Sequence, residues 1–170
     1  VKPEVIINAA AYTAVDRAEQ EREAAFAVNS LGVHELALQA KAIDALLIHF
    51  STDYVFDGEK PAPYVETDAP NPLSVYGRSK LEGERLVAAR GCRHFIFRTG
   101  WVYAPGGRNF VNAILAAAKT KPELRVVNDQ RGAPTSGLAI AAAVARILSD
   151  ASLQQKPGGN GGVGRVALNK

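Results

Sequence analysis

With 170 residues, 47% of them hydrophobic and 22% charged, the chain can bury one substantial core and is too apolar for wholesale disorder. Twenty basic side chains against 17 acidic ones leave a formal charge of +3, too small and too scattered to point to nucleic acid. Cys92 is the single cysteine, which excludes an internal disulfide framework, and no apolar run approaches the ~20 residues of a membrane helix.

The chain opens at Val1 and contains no methionine, so it is expected to be a piece of a longer one. Val5-Ile6-Ile7, stopped by Asn8, suits a buried strand. From about Asp16 to Lys41 the apolar positions Ala25, Val28, Leu31, Leu36 and Leu38 recur at mostly helical intervals, which predicts one long amphipathic helix. Leu46 to Phe50 reads as a second buried strand. Ser51 to Leu73, with its prolines and acids, reads as a long irregular loop of the functional kind. A helix is expected over Ser74 to Arg90 with Gly91 as its stop, then a strand over His94 to Thr99. Asn109 to Lys119 predicts a helix, Leu124 to Val127 a short strand, and Ser136 to Ser149 an Ala-rich helix. The Gly-rich tail, Lys156 to Lys170, is expected to be mobile.

Strands alternating with helices imply βαβ units, hence an α/β fold with a doubly wound parallel sheet. Residues 1–150 would form a partial dinucleotide-binding and catalytic domain. Residues 151–170 would be a remnant of a substrate domain or a disordered tail.

Open parallel sheets bind ligands beyond the carboxyl ends of their strands, and three notable segments fall there. In the first, Ala9 to Ala11 are small enough for a flat ligand to approach the backbone. In the second, Ser51 and Thr52 bring hydroxyls to a strand end; capping a turn with Asp53 would explain them equally well. The third is Arg98 to Tyr103. Tyr76 and Lys80, four apart on a helix, share one face, and an ammonium beside a phenol lowers its pKa. A surface pair would show the same spacing. Together, a hydroxyl at a strand end and a Tyr and Lys in the next helix suit carbonyl reduction. Thr52 and Tyr76 would converge on the substrate oxygen. Gly159 to Gly164 matches the dinucleotide glycine pattern by letter. It follows Lys156-Pro157 instead of a strand and lacks the downstream acid, so it is set aside. His34, His49 and His94 show no metal-ligand spacing.

Five ordered blocks carry a resemblance: Asn8 to Asp16, Ser51 to Gly58, Val75 to Lys80, Arg98 to Tyr103 and Asn128 to Thr135. Together they resemble the dTDP-4-dehydrorhamnose reductase family of extended short-chain dehydrogenase/reductases, over about Lys2 to Ser149. The resemblance implies a Rossmann-like fold, incomplete here at the N-terminus and in the C-terminal substrate domain. The family's opening strand and glycine-rich phosphate loop have no counterpart in these residues. It implies Thr52, Tyr76 and Lys80 as a catalytic triad with Tyr76 as proton donor. Ala11, Tyr12 and Thr13, with Tyr76 and Lys80, would contact the cofactor, NADPH or NADH. Thr52, Asp53 and Trp101 would contact a dTDP-linked deoxysugar, with Asn109 and the Asn128 to Thr135 segment near the same pocket. The implied reaction reduces the 4-keto group of dTDP-4-dehydro-L-rhamnose. Mg²⁺ and a homodimer enter by family analogy alone, and a cytoplasmic site follows from where such substrates are kept. The alternatives are a non-catalytic, cofactor-binding regulatory subunit of the same fold, or a related nucleotide-sugar epimerase or dehydratase.

Overall fold

Three β-branched or apolar segments line up as a parallel sheet in the computed structural model, which describes residues 2–107 and 109–150. They are β1 (Val5–Asn8), β2 (Leu46–Thr52) and β3 (His94–Thr99), in that spatial order. Val5 stands opposite Leu46, Leu47 opposite His94, and Thr52 opposite Thr99. The chain passes from β1 to β2 through α1 (Val15–Ala18), α2 (Arg22–Phe26), one π turn (Ala27–Leu31) and α3 (Gly32–Ala42). It passes from β2 to β3 through α4 (Val75–Arg90). Beyond β3, β4 (Val102–Tyr103) pairs in parallel with β5 (Thr135–Ser136), with α5 (Phe110–Ala118) between them and α6 (Gly137–Ser149) after.

Alternation along β2 sorts the core into two halves. Leu47 joins Val33, Ala37 and Ala40 of α3, Val87 of α4, Cys92 and Ile96 on one face. Leu46 and Ile48 join Phe97 and Val144 of α6 on the other, with Phe50, Phe95 and Ile147 packed around them. Helices on both faces are what the near-continuous apolar run of β2 requires. The doubly wound parallel arrangement is therefore present.

The ends of α4 follow local chemistry. The Ser74 hydroxyl accepts from the Gly77 amide at 3.0 Å, and Gly91 closes the helix in the left-handed region at φ 65°. A Cβ on Gly77 would lie 2.2 Å from the Tyr54 carbonyl oxygen, so only glycine lets the turn after β2 rest on this helix.

Two expected elements differ. The long helix expected over Asp16 to Lys41 is broken, because its polar residues are spent on tertiary bonds. Glu19 takes the Val75 amide at 2.8 Å and Glu21 takes the Tyr12 hydroxyl at 2.6 Å. Asn29, fully buried in the π turn, accepts from the Tyr12 amide at 2.9 Å and donates to the Ser79 hydroxyl at 3.0 Å. The strand expected over Leu124 to Val127 does not form. Its β-branched residues find no partner edge, and Val126 and Val127 are exposed. β2 also runs two residues past Phe50, so Ser51 and Thr52 belong to the strand itself. The tail and its glycine pattern lie outside the described residues. No described helix is long and apolar enough to cross a membrane.

Candidate active site

The carboxyl ends of β2 and β3 and the first turns of α4 bring Thr52, Tyr76 and Lys80 together. Thr52, last in β2, is buried and starts a single 3-10 turn (Asp53–Val55), where its hydroxyl accepts from the Tyr54 amide at 3.2 Å. The capping role and the strand-end role are thus filled by the same hydroxyl. That hydroxyl also stands beside the Tyr76 phenol, whose ring meets Tyr54 edge-on at 5.6 Å between centroids. Lys80 lies one helical turn on from Tyr76, 1% exposed, and its Nζ donates to the Phe50 carbonyl oxygen at 2.7 Å.

The electrostatics depart from expectation at Tyr76. Burial pushes its pKa up, as do the charge of Asp53 and the neighbouring Tyr54, while the Thr52 hydrogen bond alone draws it down. The expected lowering by Lys80 is not found. Burial instead brings the Lys80 ammonium down to about 8, with Glu84 opposing the shift. Tyr76 is therefore a protonated phenol at neutral pH.

Asp53 presents its carboxylate to Thr52, accepting from that hydroxyl at 3.2 Å. A Cβ on Gly100 would lie 2.3 Å from the Asp53 Oδ2, so glycine at the end of β3 is what admits this side chain. The protein packed around it raises the carboxyl's pKa, although its outer edge stays open. Trp101 is 45% exposed and adopts φ 48°, an uncommon conformation for an aromatic residue. Its indole lies so close to Gly132 that a Cβ there would come within 2.5 Å of the ring. Trp101 is therefore outside the core, and the Asn128 to Thr135 segment approaches it through Gly132. Asn109 caps α5, its side chain accepting from the Asn112 amide at 2.9 Å.

At the end of β1, Asn8 is buried, taking the Ala10 amide on Oδ1 at 3.1 Å and donating from Nδ2 to His49 Nδ1 at 3.1 Å. Ala11 and Tyr12 are half-buried and Thr13 exposed, and Asn29 grips the Tyr12 backbone from both sides. This holds the small-residue segment open beside the sheet's edge. Among the described residues, no group of three His, Cys, Asp or Glu side chains could hold a metal ion.

Sequence reasoning missed Asn8, Asn29, His49 and Glu84 as parts of the site's support. A polar residue inside an otherwise apolar or helical run was the only signal for any of them.

Residues 1–162 match the family described as the RmlD substrate binding domain. The chain belongs to that family. A dTDP-4-dehydrorhamnose reductase of Sinorhizobium fredii is 55% identical over 145 residues, covering 85% of this chain and 49% of that protein. The Escherichia coli K12 protein of the same name is 45% identical over 170 residues, covering 100% and 52%. Among solved structures, the Bacillus anthracis dTDP-4-dehydrorhamnose reductase in complex with NADP superposes with a TM-score of 0.90. It is 36% identical, over 99% of this chain and 57% of that one. The chain thus spans about half the length of the curated relatives it matches.

Proposed function

We propose that this chain carries the proton-transfer site of a nicotinamide-dependent reductase acting on the 4-keto group of a dTDP-linked 6-deoxysugar. The observation that carries the proposal is the convergence of three buried side chains, the Thr52 hydroxyl beside the Tyr76 phenol and Lys80 one turn away, at the carboxyl edge of a parallel sheet. The names of the relatives, dTDP-4-dehydrorhamnose reductases of 55% and 45% identity, support the substrate class.

The residues present suit a nicotinamide dinucleotide. The Lys80 ammonium donates one N–H to the Phe50 carbonyl oxygen and has two N–H groups left for a ribose diol. The Ala9 to Thr13 segment offers small residues beside the sheet's edge, with its backbone fixed by Asn29. Bound there, the cofactor would supply a hydride. Tyr76, protonated at neutral pH, donates its phenolic proton to the carbonyl oxygen as that oxygen gains charge, giving the hydroxyl of the product. Thr52 hydrogen-bonds the same oxygen and steadies the phenol. The phenolate left behind is reprotonated from solvent, with the Lys80 ammonium nearby to stabilise it. Asp53 and Trp101 would hold the sugar, the indole covering its apolar face.

The test is Tyr76→Phe in the native full-length protein, assayed with a reduced nicotinamide and dTDP-4-dehydrorhamnose. Loss of the proton donor is expected to lower kcat at least ~10²-fold with the fold intact. Near wild-type turnover would overturn the assignment.

A further inference from the structure

We propose that Glu84 is a positioning residue of this site: a clamped carboxylate beneath it that fixes where the Lys80 ammonium stands. The proposal rests on the reading of Thr52, Tyr76 and Lys80 given above and adds a residue to it.

Glu84 lies one turn beyond Lys80 on α4, so Tyr76, Lys80 and Glu84 descend one face of the helix into the protein. Its side chain is 6% exposed and its partner Arg98 is 8% exposed. Arg98 Nη2 reaches Oε2 at 2.6 Å and Nε reaches Oε1 at 3.0 Å, a two-pronged grip from β3. The Ser51 hydroxyl of β2 donates to Oε1 at 2.5 Å. Ser51 sits between Phe50, whose carbonyl takes the Lys80 ammonium, and Thr52, whose hydroxyl meets Tyr76. Its own carbonyl is held by the Thr99 hydroxyl at 3.2 Å. One carboxylate therefore ties α4, β2 and β3 at the level of the site, and none of the three can shift there independently.

A structural ion pair would do the same, so the charge arrangement decides. Along α4 Lys80 stands between Tyr76 and Glu84, His49 of β2 feels its charge, and Arg98 of β3 is held on the Glu84 carboxylate. Its hydrogen-bond acceptor is a neutral carbonyl, and His49 is driven to the neutral form by burial. Glu84 is the anion that favours the Lys80 charge. A buried ammonium without such a partner gives up its proton more readily, and the neutral amine would keep a single N–H for the ribose and no positive charge beside the phenol.

The experiment follows Lys80 directly, by NMR titration of [13C]lysine-labelled native full-length protein, with Lys80→Met identifying the signal. In Glu84→Gln, which keeps the shape and removes the charge, the Lys80 midpoint is expected about one pH unit below wild type. The kcat at pH 8 is expected to drop about fivefold, as the protonated fraction of Lys80 does, with KM for the sugar nucleotide within about twofold. Glu84→Asp, which restores the charge, is expected to recover most of the midpoint. A folded Glu84→Gln protein with an unmoved midpoint would overturn the proposal. Where that variant fails to fold, Ser51→Ala decides: with its hydroxyl gone the carboxylate is less neutralised, and the Lys80 midpoint rises by a few tenths of a unit. An unchanged midpoint there overturns the proposal too. The titration needs no turnover, so a failure of Glu84 to act on Lys80 is distinguishable from a Tyr76 that fails its own test.

Discussion

Tyr76 shows how burial and proximity compete for one proton. A lysine four residues along the helix argues for a lowered phenol, yet the pocket that brings the two together also removes water from both. Desolvation acts on the phenolate more strongly than the Thr52 hydroxyl offsets, so the resting residue is an acid. Trp101 poses a related question of role. Its indole sits outside the core, against Gly132, on a backbone with φ 48°. An aromatic ring in that conformation gives up roughly a kcal/mol or more, which suggests that its position is wanted for something other than packing. Trp101→Ala is therefore expected to raise KM or lower kcat/KM for the sugar nucleotide while the melting temperature stays within a few degrees. A variant that unfolds, with unchanged kinetics in the surviving fraction, would make the residue structural. The places of Thr52, Tyr76, Lys80 and Trp101 were legible because strand ends and helix spacing need no knowledge of the fold, whereas the roles proposed for them came with the family resemblance. Asn29 and Glu84 were not, because their partners Ser79 and Ser51 lie 50 and 33 residues away along the chain.

At the scale of elements, α4 is the frame on which the site hangs. Its limits could be read from Ser74 and Gly91, since a cap and a left-handed stop are local chemistry. The π turn against which it packs could not be read, because it exists for contacts made across the fold. A Cβ on Gly83 would stand 2.2 Å from the Asn29 carbonyl oxygen. Asn29 in turn bonds Ser79 of α4 and both backbone groups of Tyr12. Gly83→Ala gains about 1 kcal/mol of helix propensity and loses more to the clash. The expected outcome is a net loss of about 1–3 kcal/mol in denaturant melts, together with weaker cofactor binding, since the Tyr12 segment is pushed with Asn29. A variant as stable as wild type would mean that α4 and the π turn can separate without cost. The failed strand at Leu124 to Val127 teaches the converse. β-branched residues favour a strand only where an edge is offered, and hydropathy does not say where the edges are.

For the whole molecule, the same buried polar layer that serves the site sets its sensitivity to acid. His49 lies in the middle strand, fully buried, with Nδ1 accepting from Asn8 and its pKa brought down to about 3, first by burial and then by the Lys80 charge. Above about pH 6.5 the imidazole is neutral in both folded and unfolded chains and the difference has no effect. As pH falls below that value the unfolded chain takes up a proton that the folded one refuses until about pH 3, so stability is lost across that window. At pH 5 the loss amounts to about 2 kcal/mol, or roughly 4–8 °C in Tm for a chain of this size. Asp57 acts lower still. Its carboxylate, drawn down to about 2 by the Tyr64 hydroxyl and then by Asn71, contributes stability that disappears only as pH falls below the ordinary aspartate range. Of the two, His49 acts alone above about pH 4, and both act below it. His49→Gln is expected to flatten the slope of Tm against pH between 6.5 and 5, whatever it does to Tm itself, and to leave below pH 4 the part of the loss that belongs to Asp57. Parallel slopes for variant and wild type over the upper window would move the acid sensitivity away from the middle strand and onto the carboxylates alone.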